Sequence, residues 1–230
     1  MMPPRSWLLL LAATTTIVVA FTVAVLLDRP AGHSAANSSL SSAGSSAPDA
    51  EDTPNASGFQ GAALPAGVRA RDFTLTDQTG SPVSLSRYRG QVVVIAFVYS
   101  TCGSTCIVIA QQIRGALDEL PRPVPVLLVS VDPDADTPAR VSRFLEQVSL
   151  TGRVHYLTGS LSQLRPVWSA YGIDPASIAS ASASARNAQI ESSTGVLLID
   201  GRGFERVLFA VEQLTPEALA HDIRRLQSQP

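Results

Sequence analysis

Gln91-Val92-Val93-Val94-Ile95-Ala96-Phe97-Val98-Tyr99-Ser100-Thr101-Cys102-Gly103-Ser104-Thr105-Cys106 is the stretch that decides the fold. Its first half is apolar at odd and even positions alike. A strand of that kind has no solvated face, so it belongs in the middle of a sheet covered on both sides. Its second half breaks into small polar residues around two cysteines. From about Ser104 to Leu120, apolar residues then recur at spacings of three and four: Cys106, Ile109, Ile113, Leu117 and Leu120. That is a helix with one buried stripe. The cysteines therefore stand where a buried strand ends and a helix begins.

The same alternation continues downstream. Pro121 and Pro123 stop the helix, and Val124–Val131 reads as a second buried strand. Asp132-Pro133-Asp134-Ala135-Asp136-Thr137-Pro138 turns the chain into a helix carrying Val141, Phe144, Leu145 and Val148, with Asp136 or Thr137 as its cap. Val154–Leu157 is a short third strand, and Leu161–Tyr171 a helix containing Pro166. Gly195–Asp200 and Glu205–Phe209 are strands joined by Gly201-Arg202-Gly203. Thr215-Pro216-Glu217 opens a terminal helix with Leu219, Ile223 and Leu226 on one face. Upstream, Phe73–Thr76 and Val83–Leu85 flank the turn signal Asp77-Gln78-Thr79-Gly80, an N-terminal hairpin. The pattern is α/β: a central mixed sheet flanked by helices. Ligands in such sheets sit beyond the carboxyl ends of the parallel strands. Cys102 follows one such end and Asp132 the next, so the two are expected to be close.

Outside this domain, residues 29–62 are rich in Ser, Ala, Pro, Gly and Asn and read as a flexible linker. Trp7–Leu27 is uncharged, and at a 1.5 Å rise its length matches a hydrocarbon core of roughly 30 Å. Residues 1–28 thus read as a transmembrane anchor, or as a signal peptide cleaved near Gly32-His33-Ser34. Either way residues 63–230 lie outside the cytoplasm, in a single-pass protein of the cell membrane, where disulfides persist.

Composition narrows the chemistry. All 17 basic residues are arginine, which excludes Schiff-base and P-loop lysine chemistry. A net charge of −2 makes no case for nucleic acid. Two cysteines four apart are too few for a disulfide scaffold, and suit a redox pair or a soft-metal site. With both in a helix, their Cα atoms would lie about 6 Å apart, within disulfide range. The helix N-terminus favours thiolate over thiol, and paired thiolates prefer Cu(I) to hard cations.

The motifs now have a family resemblance. Tyr99–Cys106 resembles the Cys-x-x-x-Cys motif of the SCO/SenC copper chaperones. Val129–Pro138 resembles that family's second signature. His155-Tyr156-Leu157-Thr158-Gly159-Ser160, Val167-Trp168, Tyr171-Gly172 and Gly195–Asp200 resemble its later blocks. The resemblance implies a thioredoxin-like fold and a membrane tether. It also implies a role in cytochrome c oxidase copper-site assembly, by delivering copper or keeping thiols reduced. Cys102 and Cys106 would be metal ligands and redox pair. Asp132, by its place after the next strand, reads either as a carboxylate that tunes thiol acidity or orients a ligand beside the cysteine loop, or as a turn residue of Asp-Pro.

The chain departs from the family at three positions. The prolines after the two cysteines are Gly103 and Ile107 here. The family's third ligand, a histidine, falls at Ser192 when counted back from Ile199-Asp200. A hydroxyl is a weak, hard ligand, so two thiolates holding Cu(I) fit better than a Cu(II) site. His33 lies in the linker, His155 at the wrong end of the sheet, and His221 on the polar side of the terminal helix. Glu191 is better placed, but a carboxylate prefers harder ions. Ala179–Ala185 is a low-complexity loop. Three functions follow as expectations: a metallochaperone, a copper-independent thiol–disulfide oxidoreductase, and a non-catalytic assembly factor. A peroxidase fits less well, since the cysteine loop lacks the proline and threonine spacing of peroxiredoxins.

Overall fold

Six consecutive buried side chains, Val93–Val98, form β4 of the structure, a computed structural model that describes residues 57–175 and 195–229. The expected anchor, His33 and most of the linker lie outside the described residues. So do Ala179–Ala185, Glu191 and Ser192. Among the described residues no helix is long and apolar enough to cross a membrane.

In chain order the elements are β1 (Ala62–Ala63), β2 (Thr74–Thr76), β3 (Pro82–Ser84), β4 (Val93–Val98) and α1 (Ser104–Glu119). Then come β5 (Val126–Ser130), α2 (Pro138–Gln147), β6 (His155–Leu157) and α3 (Leu161–Ala170). β7 (Val196–Ile199), β8 (Glu205–Phe209) and α4 (Pro216–Gln227) complete the domain. Six strands form one mixed sheet in the order β1-β8-β7-β4-β5-β6. β4 is parallel to β5 and β5 to β6, while β7 runs antiparallel to β4. The expected α/β architecture, the antiparallel late strand and the hairpin β2–β3 are all present. An isolated bridge between Thr76 and Thr158 seats the hairpin beside the end of β6.

β4 occupies the centre because it is apolar on both faces, as the sequence pattern requires. The α1 stripe differs from expectation. Cys106, Ile109, Ala110, Ile113 and Ala116 are its buried residues, whereas Leu117 and Leu120 are only half-buried. Leu117 lies in the last turn of α1 and Leu120 just past it, and α4 crosses the helix near Gly115. A Cβ on Gly115 would stand 2.8 Å from the Pro216 ring. Small residues at the crossing let the two helices pack nearer than leucines would. In α4, Thr215 caps the helix by accepting the Ala218 N–H, and Leu219, Ile223 and Leu226 are buried as expected.

One feature was not visible in the residue pattern. At the end of the stretch read as linker, Phe59 is buried, and Ala62 with the adjoining Ala63 pairs antiparallel with β8 as the edge strand β1. The fully buried Asp222 of α4 holds this strap by accepting the Gln60 N–H at 2.9 Å and the Gly61 N–H at 3.0 Å.

Candidate metal and redox site

The β4–β5 ladder ends at Val98↔Ser130, with Val131 N–H donating to the Val98 carbonyl just beyond. The chain leaving β4 then tightens into a turn, with Cys102 N–H donating to the Tyr99 carbonyl at 3.1 Å. Gly103 is the N-cap of α1, so Cys102 lies just outside the helix and only Cys106 lies in its first turn. The helix thus begins at Ser104, as the residue pattern predicts. The Cα atoms of the two cysteines are 5.7 Å apart, and the two form a disulfide.

The surroundings of the two sulfurs differ. Cys102 is 6 % exposed and Cys106 is fully buried in the stripe of α1. Gly103 offers no capping side chain, and no acidic residue sits in the first turn. An unmet helix N–H is instead taken by sulfur, as Cys106 N–H points at the Cys102 Sγ from 3.3 Å. A donor aimed at sulfur at the positive end of a helix stabilises negative charge there.

The two aspartates of the turn differ in what they hold. The Asp132 carboxylate turns back on its own loop and accepts the Ala135 N–H at 3.2 Å, the turn role its Asp-Pro sequence allows. Asp136 was read as a turn or cap residue, but Thr137 is the N-cap of α2. The buried Asp136 carboxylate reaches the cysteine loop instead. Its Oδ1 accepts the Ser100 N–H at 2.6 Å. Its Oδ2 accepts the Ser130 hydroxyl at 2.6 Å and the Tyr156 hydroxyl at 2.7 Å. Burial, reinforced by Asp136, pushes the Tyr156 phenol well above its ordinary pKa, so it remains a donor. Trp168 of α3 adds a bond from Nε1 to the Ser130 carbonyl at 2.9 Å. Ser100 Oγ is a buried polar atom with no hydrogen-bond partner among the described residues.

The histidines stay away from the sulfurs. His155 is paired with Leu127 in the ladder, at the start of the parallel strands, while the cysteines follow their ends. Its Nδ1 lies 3.0 Å from the Asp77 carboxylate. Burial tends to raise the Asp77 pKa, but hydrogen bonds from the Thr79 hydroxyl, His155 and the Ser81 and Thr79 amides outweigh it and hold it at about 2. His221, on the solvent side of α4, is half exposed with its Nδ1 2.9 Å from Asp222 Oδ1. Among the described residues no group of three His, Cys, Asp or Glu side chains could hold a metal ion.

The chain was compared with known proteins. The SCO1/SenC family model matches residues 62–228. The mitochondrial SCO2 homolog of Bos taurus is 31% identical over 115 residues, covering 47% of this chain and 42% of that protein. Peroxiredoxin Bcp of Escherichia coli is 38% identical over 85 residues, 36% of this chain and 52% of that protein. The chain thus spans about half the length, or less, of the curated relatives it matches. Among solved structures, copper-bound yeast Sco1 superposes with a TM-score of 0.55 at 16% identity, covering 72% of this chain and 97% of that one. The thioredoxin domain of a Bacteroides vulgatus thiol-disulfide oxidoreductase gives 0.53 at 16% identity, covering 72% and 99%. At such identities the likeness is one of fold, and the fold is thioredoxin-like. With the family model matched across nearly the whole described domain, the chain belongs to the SCO1/SenC family.

Proposed function

We propose that this chain is a membrane-tethered, extracytoplasmic copper carrier that holds Cu(I) between Cys102 and Cys106. The recipient we propose is a copper site of cytochrome c oxidase during its assembly. The observation that carries this reading is the sulfur pair itself. Two cysteines with Cα atoms 5.7 Å apart, one on each side of a helix start, sit just beyond a central strand of an SCO1/SenC domain. Soft sulfur donors at that spacing suit a soft monovalent ion, and two-coordinate Cu(I) needs no third ligand. Ser192, at the position where the family resemblance places a histidine, offers a hydroxyl in place of the imidazole that Cu(II) favours, which fits Cu(I) better.

Loading begins from the disulfide. An external dithiol supplies two electrons and two protons, the S–S bond breaks, and two thiols form. Cu(I) then displaces two protons as it binds both sulfurs. Titrating the reduced full chain with Cu(I) against a competing chelator tests the reading. One ion per chain, lost in Cys102→Ser, is expected. Binding unchanged by that substitution rejects it.

A second reading is a thiol–disulfide reductase that keeps the oxidase's cysteines reduced. Closure of the pair as a disulfide favours it. Its mark would be exchange with peptide disulfides at full rate in copper-free chains. A non-catalytic assembly factor would retain full function in cells with both cysteines replaced by serine.

A further inference from the structure

We infer that Asp136 is the positioning residue of the cysteine loop, holding Cys102 in register with Cys106 by gripping the Ser100 amide. The inference rests on the reading of Cys102–Cys106 as the working pair. It does not depend on copper.

Ser100 is two residues before Cys102 and two past Val98, the last paired residue of the β4–β5 ladder. Its N–H would have no ladder acceptor, since the last pairing is Val98↔Ser130. Asp136, 36 residues downstream, supplies one at 2.6 Å. The carboxylate is itself immobilised, because Ser130 at the end of β5 and Tyr156 in β6 both donate to Oδ2. Trp168 pins the same Ser130 through its carbonyl. The loop is thus tied to two neighbouring strands through one side chain, and Trp168 of α3 braces one of them. Charge-assisted bonds of this length are stronger than neutral ones, and burial shields them from water. A side chain serving only as a cap would face its own helix. Asp136 leaves that position to Thr137 and faces the cysteine loop.

The consequence is for ring closure. Holding Ser100 limits where Cys102 can go after reduction and so keeps the effective concentration of the two thiols high. Releasing it should make the disulfide harder to re-form and shift the equilibrium toward the dithiol.

The test uses the full chain equilibrated in glutathione buffers, with the dithiol fraction read by alkylation and mass. Asp136→Ala is expected to raise the dithiol-to-disulfide ratio about tenfold and to expose the Ser100 amide to hydrogen exchange. Asp136→Asn keeps an oxygen for the Ser100 N–H and removes only the charge, so it should restore most of the wild-type ratio. A folded Asp136→Ala chain with an unchanged ratio overturns the inference. So does Asp136→Asn shifted as far as Asp136→Ala, since the effect would then be charge alone. Should Asp136→Ala fail to fold, Ser130→Ala/Tyr156→Phe decides. It leaves the carboxylate but removes both hydroxyls that orient it, and an unchanged ratio there overturns the inference. A chain that binds no Cu(I) yet responds in these ways would reject the carrier function and leave the role of Asp136 standing.

Discussion

The backbone N–H of Cys106 points at the sulfur of Cys102 from 3.3 Å, so the second cysteine's backbone supports the first cysteine's side chain. On reduction this donor faces whichever sulfur species Cys102 carries, and it favours the thiolate. Cys106 gains nothing comparable and is fully buried. Cys102 should therefore be the attacking thiol. Measured by iodoacetamide alkylation, Cys102 in Cys106→Ser should react at least about tenfold faster than Cys106 in Cys102→Ser. Its rate profile should have a midpoint below the ordinary thiol pKa of about 8.5. Equal rates for the two variants would remove the asymmetry.

Acid should test the other end of the sheet. Asp77 has a folded pKa of about 2 against an unfolded value near 4. A depressed carboxylate contributes stability above its unfolded pKa and loses it as pH falls through the folded one. The contribution is of order 2 kcal/mol, full above about pH 5 and gone by about pH 2. Asp77→Asn should cost about 1–2 kcal/mol at pH 7 in urea unfolding and flatten the acid limb between pH 4 and 2. An acid limb identical to wild type would count against the carboxylate's role.

Asp222 should behave as a clasp. It is fully buried and is the acceptor for the Gln60 and Gly61 amides. Asp222→Ala leaves two amides without an acceptor, each costing about 1–3 kcal/mol if it stays buried. The cheaper response is for the strap to lift, letting water reach both. The expected result is a lowered Tm with early proteolysis between Ser57 and Ala63, and cysteine chemistry unchanged. A cleavage pattern identical to wild type would show that β1 is held by other means.

These clasps mark the boundary of what the residue pattern reveals. β4 was legible because a strand buried on both faces must be apolar throughout. α2 was legible because Val141, Phe144 and Leu145 keep helical spacing. Asp136 was not, because Asp-Thr-Pro is a strong local cap signal, and a short carboxylate can serve its own helix or a loop 36 residues away with the same sequence. β1 was hidden for a similar reason. Two alanines carry no strand signal, and their place depends on an aspartate some 160 residues downstream. The α1 stripe was legible for Cys106, Ile109 and Ile113, and it departs only at the helix end, where Leu117 and Leu120 are half-buried.

The missing third ligand gives the last prediction. β7 is antiparallel to β4, with Val196 opposite Ala96, so the chain enters β7 from the end of the sheet that carries the cysteines. Gly195, the first described residue after the loop, therefore lies at that end. A side chain three residues earlier has only a short backbone span to cover, about 10 Å when extended. Ser192 is the position at which the family resemblance places a histidine. A hydroxyl adds little to a copper site, whereas an imidazole suits Cu(II), which two thiolates alone hold poorly. Ser192→His should thus raise Cu(II) affinity by at least about a hundredfold, or roughly 2.7 kcal/mol, while changing Cu(I) affinity far less. Competition titrations with each oxidation state, with the visible thiolate-to-copper charge-transfer band as a second readout, would register the change. A Cu(II) affinity that does not move would mean that position 192 does not face the sulfurs and that the histidine's place in this chain is elsewhere.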